Sequence, residues 1–191
     1  MINKISLYKS DFYLGANMYC CQLNCYKSSG VVANLIKNLP QRNCLALVQE
    51  PAQYRGGVPG LGGYQGYQAA GRVRAAIIAS PDINVWKVDA FCATDVCTII
   101  VKGEQEEFYV CSVYLDILYT GDNFLPQKLR DLLQLCKQTK QKLIVGMDTN
   151  AHSYLWGPSS NARGELLEEV IGNHNLFVKN VGEKALSLIH I

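Results

Sequence analysis

The sequence predicts an α/β or α+β sandwich, in which helices lie outside short strands that pair mostly in antiparallel fashion. Three observations support this prediction. Three segments with helical spacing of apolar residues are separated by runs of short apolar segments, turn residues punctuate those runs, and no internal repeat or long linker divides the chain. A length of 191 residues fits one ordinary domain, which we expect to span residues 1–191.

The first half of the chain predicts a strand, a helix, a second strand and a long loop. The strands are Met18–Asn24 and the continuous apolar run 44–48, which suits a strand buried on both faces. Apolar residues at helical spacing lie between them, with Ser28 or Ser29 as the N-cap and a proline as the end. The loop at 54–71 is rich in glycine but lacks the Lys and Ser/Thr of a phosphate-binding P-loop.

The second half predicts a run of strands and then two helices, each followed by a strand. The spacing of the first four strands and the turn residues between them favour antiparallel pairing. These strands are 75–79, 84–88, 96–101 and 108–115. The remaining elements are a helix at 125–136, a buried strand at 142–147, a polar loop at 149–162, a helix at 166–171 and a last strand at 176–179.

Composition excludes several classes of protein. Hydrophobic residues make up 49% and charged residues 18%, which indicates a globular rather than a disordered chain. No apolar run approaches the roughly 18 residues of a membrane helix, and early charged residues argue against a secretory signal peptide. The eight cysteines are scattered without a C-x-x-C pair, so we expect buried free thiols and a nuclear or cytoplasmic, not secreted, location.

Several polar residues lie at or near the ends of predicted strands, where a rigid sheet can hold side chains for chemistry. Glu50 and Asp148 are carboxylates from different strands, Asn24 and Asn150 add amide groups, and Tyr114 adds a phenol. An oxygen-rich cluster of this kind suits Mg²⁺, which prefers hard ligands and retains several waters. Zn²⁺ would call for His and Cys ligands instead.

Each of these residues also has a purely structural interpretation. Asn24 is a common type of turn residue, and Glu50 can simply end a strand in solvent. Residues 148–150 can form an Asx turn, Tyr114 can be a half-buried aromatic on a strand face, and His152 can be a surface loop residue.

The order and spelling of four motifs favour the functional interpretation. LNCYKS at 23–28, VQEP at 48–51, SVYLD at 112–116 and GMDTNAHSYLWG at 146–157 follow one another, each at a strand end. This succession, with NARG at 161–164, resembles the endonuclease domain of non-LTR retrotransposons within the endonuclease/exonuclease/phosphatase superfamily. The resemblance spans nearly the whole chain and implies a four-layer sandwich of two packed, mostly antiparallel sheets with helices on the outer faces.

The resemblance also implies a role for each candidate residue. Glu50 would be the main Mg²⁺ ligand, with Asn24 helping to hold the ion and its waters. Tyr114 would donate a hydrogen bond to the scissile phosphate, and Asp148 would orient or activate the attacking water. Asn150 would bond the phosphate or Asp148. His152, in the same loop, would lie at the pocket edge near DNA. The family nicks one DNA strand to prime reverse transcription, which implies a reverse transcriptase domain in the parent polyprotein.

Three arginines flank the glycine-rich loop. Arg55, Arg72 and Arg74 can contact the phosphate backbone of DNA with an affinity that does not depend on base sequence. The alternative is that these side chains form a solvated strand edge. The net charge of +2 is too balanced to decide between the two.

The chain departs from the family pattern near its C-terminus, where we expect the domain to be incomplete and its last strands to be missing. The family completes its site there with an Asp and a Ser-Asp-His-like motif, but no Asp follows Asp148, and Ile189 precedes His190. The end, 186–191, resembles a translated sequencing adapter, so we expect it not to be native. Besides a nuclease of feeble activity, two alternatives stay open: a non-catalytic fragment that at most binds nucleic acid, and another phosphoesterase of the superfamily.

Overall fold

The computed structural model describes residues 6–10, 18–103, 107–121, 124–178 and 187–190. These residues form eleven strands, three α-helices and one short 3₁₀ helix at Asp89–Phe91. The strands are β1 (Ser6–Ser10), β2 (Met18–Asn24), β3 (Cys44–Gln49), β4 (Gln65–Tyr67), β5 (Ala75–Ala79), β6 (Val85–Lys87), β7 (Val96–Lys102), β8 (Glu107–Tyr114), β9 (Leu143–Asp148), β10 (Phe177–Val178) and β11 (Ser187–His190). The α-helices are α1 (Ser29–Asn38), α2 (Gln127–Thr139) and α3 (Ala162–Asn173).

Two sheets organise the described residues. One has the strand order β1-β2-β3-β5-β4 and the other β10-β11-β9-β8-β7-β6. Only β2 with β3 and β8 with β9 pair in parallel within these ranges, and helices α1 and α2 supply the crossovers that parallel neighbours require. The predicted predominance of antiparallel pairing is therefore confirmed.

Three layers of apolar packing hold the sheets and helices together. The pleat of β3 divides its side chains between two of them, because successive residues of a strand point to opposite faces. Leu45 and Leu47 pack between the two sheets against Ile99, while Val48 packs beneath α1 against Leu35. The second sheet packs through its other face against α2 and α3, so the order is helix, sheet, sheet, helices. This arrangement confirms the four-layer sandwich.

Most predicted elements lie where the spacing places them, and the differences concern strands. Ser28 is the N-cap of α1, since its Oγ accepts a hydrogen bond from the Val31 amide at 3.3 Å. Strand β5 does not pair with the strand that follows it in the chain; it pairs with β3 and β4, because the chain crosses to the other sheet after β5. Strands β1, β4 and β11 were not predicted, and the predicted strand at 176–179 narrows to β10, with Lys179 outside the described residues.

Strand β11 lies at the C-terminal end of the described residues, in the region where the last strands of the domain are expected to be missing. It lies between β9 and β10 and pairs with both in antiparallel fashion. The described residues thus place a strand next to β9, which carries one of the candidate carboxylates at its end.

The cysteines are free thiols, as the sequence predicts. Seven of the eight are buried, and Cys92 is partly exposed. Burial raises the pKa of the Cys20 thiol to about 12, so this thiol stays protonated at neutral pH. None of the helices in the described part of the chain is long and apolar enough to cross a bilayer.

A buried polar network joins the sheets just below the candidate site. Gln49 donates from Nε2 to Ser112 Oγ at 3.0 Å and to the Gly146 carbonyl at 3.2 Å. Its Oε1 accepts from Gln22 Nε2 at 3.2 Å, and Ser112 Oγ donates to the Val48 carbonyl at 3.1 Å. The network therefore fixes β3 against β8 and β9 close to the ends of all three strands.

We expect Gln49→Leu to lower the free energy of unfolding by about 2–3 kcal/mol, because it leaves buried polar groups without partners. Urea denaturation measures the change. Gln138→Leu is the matched control, since Gln138 is exposed on α2 and its replacement is expected to change stability by less than about 0.5 kcal/mol. Equal stability of the two variants would contradict a structural role for the network.

Candidate active site

The candidate residues come together because of the two parallel strand pairs. Parallel neighbours end at the same edge of a sheet, and the two sheets face each other through β3, β8 and β9. Asn24 ends β2, Glu50 follows β3, Tyr114 ends β8 and Asp148 ends β9. Four side chains that are far apart in the sequence are thereby delivered to one end of the sandwich.

Asn24 joins the two carboxylates. Its Nδ2 donates to Asp148 Oδ2 at 2.5 Å and lies 3.5 Å from Glu50 Oε2. Its Oδ1 accepts from the Tyr26 backbone amide at 2.8 Å, which sets the orientation of the side-chain amide. The side chain is nearly fully buried, so these contacts keep a rigid N–H donor between Glu50 and Asp148.

Glu50 is held by its backbone as well as by its side chain. Its φ of 44° lies in the left-handed region, which costs a non-glycine residue roughly 1 kcal/mol or more. The Glu50 amide donates to the Arg74 carbonyl at 2.8 Å, and the Lys27 amide donates to the Glu50 carbonyl at 2.8 Å. The Lys27 ammonium lies 3.1 Å from Glu50 Oε1. The carboxylate therefore has a nearby cation on one oxygen and Asn24 on the other.

Tyr114 lies half-buried beside the carboxylates. Burial raises the pKa of its phenol above the usual value, and the negative charges of Glu50 and Asp148 raise it further. A hydrogen bond with Asn150 acts in the opposite direction. The phenol consequently keeps its proton at neutral pH and is available as a hydrogen-bond donor.

The loop after β9 carries the remaining candidates. Asn150 has a φ of 46°, and its Nδ2 donates to the Leu115 carbonyl at 3.0 Å. His152 is exposed, while its backbone is tied to Asn161, which accepts from the His152 amide at 3.2 Å. The structure therefore brings Asn150 into the cluster and leaves the His152 side chain at the surface.

The three arginines predicted to contact DNA differ in their surroundings. Arg72 is exposed and, together with Glu50 and Arg74, lines an open cleft of about 750 Å³. Arg55 is also exposed, and its guanidinium carbon lies 5.2 Å from the centre of the Tyr54 ring. Arg74 is paired with the carboxylates of Asp95 and Asp116. Arg72 and Arg55 are thus free to meet an anionic ligand.

The side chains that could coordinate Mg²⁺ are of a suitable type but few in number. Among the described residues, no group of three or more His, Cys, Asp or Glu side chains could hold a metal ion. Mg²⁺ needs only one or two carboxylates, since waters and phosphate oxygens complete its shell. Asn24 presents its N–H to the carboxylates in this structure, so Glu50 and Asp148 are the oxygen donors that face the site.

Two residues that support the site were missed as functional candidates. Arg163, near the start of α3, donates to the backbone carbonyls of Tyr119 and Asp116, both at 2.6 Å, and of Thr149 at 3.0 Å. It thereby ties the loop after β8 to the loop after β9. Lys27, whose ammonium lies 3.1 Å from Glu50 Oε1, is the second residue that was missed. A single basic residue carries no sequence signal of such contacts, although Arg163 does belong to the NARG motif.

The chain is similar to known proteins in part of its sequence and in its fold. Residues 108–189 match the profile of a protein family described as endonuclease-reverse transcriptase. The endonuclease domain of TRAS1, a telomere-specific non-LTR retrotransposon, superposes with a TM-score of 0.66 at 20% identity, over 90% of this chain and 84% of that one. No curated protein sequence matches the chain.

Two other solved structures share the fold at lower similarity. The human Nocturnin catalytic domain has a TM-score of 0.51 at 16% identity, over 76% of this chain and 68% of that one. An endonuclease/exonuclease/phosphatase family protein from Leptotrichia buccalis has a TM-score of 0.52 at 11% identity, over 91% of this chain and 87% of that one. The chain therefore has the endonuclease/exonuclease/phosphatase fold. The resemblance to the endonuclease domain of a non-LTR retrotransposon is confirmed.

Proposed function

We propose that the chain hydrolyses phosphodiester bonds and nicks one strand of DNA in a Mg²⁺-dependent reaction. The observation that carries the proposal is the contact of one nitrogen, Asn24 Nδ2, with carboxylate oxygens of both Glu50 and Asp148. These carboxylates come from different sheets and are remote in sequence. Two carboxylates held this close repel each other when both are charged, and a bound cation would offset that repulsion and attract a phosphate to the site.

Each side chain of the site has a separate role in the proposed hydrolysis. Asp148 accepts a proton from the attacking water and orients it, while Tyr114 donates its O–H to the scissile phosphate. Asn150 bonds the phosphate or Asp148, and His152 lies near the DNA at the edge of the site. Mg²⁺, held by Glu50 with Asn24 nearby, would supply the positive charge that stabilises the negative charge growing on the phosphate.

The DNA backbone is the partner that fits the surrounding charges. Arg72 lies in the same cleft as Glu50, and Arg55 lies in the glycine-rich loop, so both are proposed to bind phosphates of the substrate strand. The 3′-hydroxyl left by the nick would prime a reverse transcriptase domain in the parent polyprotein. The family profile matched at 108–189 supports that linkage. A nuclear or cytoplasmic location stays a prediction.

A plasmid-nicking assay tests the proposal. Wild-type protein is expected to convert supercoiled plasmid to the open circular form with Mg²⁺ and not with a chelator. Glu50→Gln is expected to lower the rate by about 100-fold or more, because it removes the charge proposed to hold the metal. Glu169→Gln, an exposed carboxylate change on α3, is the matched control and should keep the rate.

Three outcomes would reject the proposal. Equal nicking by wild type and Glu50→Gln would mean that the site is not the source of activity. Salt-sensitive DNA binding without cleavage would indicate a non-catalytic fragment. Hydrolysis of a small phosphoester, with the plasmid left intact, would indicate another phosphoesterase of the superfamily.

A further inference from the structure

Arg74 is the most completely paired cation beside the candidate site. Its Nε and Nη2 donate to the two oxygens of Asp95 at 2.5 Å and 2.7 Å, which is a bidentate arrangement. Its Nη1 donates to Asp116 Oδ2. The Asp95 side chain is almost fully buried and also accepts from the Tyr119 hydroxyl at 2.6 Å. The guanidinium is therefore fixed in place by two carboxylates.

The same residue touches both halves of the site. Its guanidinium carbon lies 5.0 Å from the centre of the Tyr114 ring, within the range of a cation–π contact. Its backbone carbonyl accepts from the Glu50 amide at 2.8 Å. The Tyr114 amide in turn donates to the Asp95 carbonyl at 2.9 Å. Arg74 and Asp95 thus join the end of β8 to the segment that holds Glu50.

We propose that Arg74 is a positioning residue: fixed by Asp95 and Asp116, its guanidinium holds the Tyr114 ring so that the phenol faces the scissile phosphate. The inference rests on the proposed nuclease function. Arg74 was predicted from the sequence to contact DNA phosphates directly. That role would require a guanidinium already shared by two carboxylates to leave its partners, and a separated buried carboxylate is costly.

The positioning role follows from what a tyrosine needs in order to donate one directed hydrogen bond. The phenol ring can turn about two side-chain bonds, and a hydrogen bond to its oxygen fixes only the tip of the ring. The planar guanidinium of Arg74 covers one face of the ring and so limits how the ring can turn.

Nicking kinetics with Arg74→Met, Arg74→Lys and Arg72→Met test the proposal. We expect Arg74→Met to lower kcat about tenfold, with little change in KM or in the slope of log Kd for DNA against log salt. Arg74→Lys should behave like Arg74→Met, because lysine cannot bond Asp95 through a planar fork. Arg72→Met should instead raise KM and reduce the salt slope by about one.

A double variant separates positioning from direct contact. In the Tyr114→Phe background, Arg74→Lys should cause no further loss of kcat, because the phenol that it positions is absent. A further loss of kcat in the double variant, as large as the loss that Arg74→Lys causes alone, would overturn the proposal. A salt slope reduced by about one in Arg74→Met, together with a rate near wild type in Arg74→Lys alone, would also overturn it in favour of a phosphate contact.

A readout without activity distinguishes failure of this inference from failure of the proposed function. Protein carrying 3-fluorotyrosine gives a ¹⁹F resonance for residue 114 that Tyr114→Phe identifies. Arg74→Lys is expected to shift that resonance, whereas Arg72→Met should leave it in place. An unchanged resonance in folded Arg74→Lys protein would overturn the proposal even if wild-type protein nicks DNA. A shifted resonance in a protein that does not nick DNA would support the contact between Arg74 and Tyr114 and would contradict the proposed nuclease function.

Discussion

Gly164→Ala is expected to lower the free energy of unfolding by about 3 kcal/mol, at the upper end of the range for overpacking. Gly164 lies in the first turn of α3, and a Cβ there would overlap the backbone carbonyl of His152, with the carbonyl carbon at 2.6 Å. It would also approach the Ser153 Cβ at 3.3 Å. Backbone atoms cannot turn away as a flexible side chain can, so either the helix or the loop must move.

Thermal unfolding measures this effect, and Gly172→Ala is the matched control. Gly172 lies in the same helix, and a Cβ there would meet nothing within 4 Å. Alanine at this position should be neutral or stabilise by up to about 1 kcal/mol, because it is the better helix former. For a chain of this size, the Gly164→Ala loss corresponds to roughly 6–12 °C in Tm. Equal Tm values for the two variants would contradict close packing of α3 against the loop.

The same substitution should reduce nicking beyond what lower stability explains. The loop that Gly164 contacts runs from Asp148 to Asn161, which accepts from the Gly164 amide at 2.8 Å and from the His152 amide at 3.2 Å. Displacing His152 would move the loop that carries Asn150. Rates measured well below the Tm of the variant separate the two effects. Full activity of folded Gly164→Ala protein would show that the loop tolerates the shift.

The helices and the buried strands could be predicted because each rests on a local pattern. The proximity of Glu50 and Asp148 around Asn24 could be predicted only through the family resemblance of the motifs. Apolar spacing defines α1, α2 and α3, and continuous apolar runs define β3 and β9. A strand end also marks where a polar side chain can face a site. The resemblance of the four motifs to a known family then predicted that these strand ends form one site.

The missed features depend on contacts between segments that are distant in sequence. The crossing of the chain after β5 places that strand beside β3 rather than β6, and strand periodicity does not encode which sheet a strand joins. The orientation of the Asn24 side chain depends on the Tyr26 amide, and the guanidinium of Arg74 forms an ion pair with Asp95. A sequence shows that these side chains exist, but only the fold shows which groups they meet.

Asp148→Asn is expected to lower the nicking rate about 10³-fold, which is typical of losing a general base, without harming the free protein. The asparagine Oδ1 can still accept from Asn24, so the contact now made at 2.5 Å is kept while one of two close negative charges is removed. Without metal, the free energy of unfolding should be unchanged or higher by up to about 1 kcal/mol. Chemistry and stability would then respond in opposite directions to one substitution.

Metal-linked stability provides the second measurement of this variant. A ligand that binds only the folded state stabilises it by RT ln(1 + [L]/Kd), which is about 1.4 kcal/mol for Mg²⁺ at ten times its Kd. That gain corresponds to roughly 3–6 °C in the Tm of wild-type protein. The gain should be smaller in Asp148→Asn and absent in Glu50→Gln, because each variant removes a carboxylate that faces the site, whereas Glu169→Gln should respond like wild type. A Tm that Mg²⁺ raises equally in all four proteins would mean that the ion binds elsewhere, and that the two carboxylates around Asn24 form a structural contact rather than a metal site.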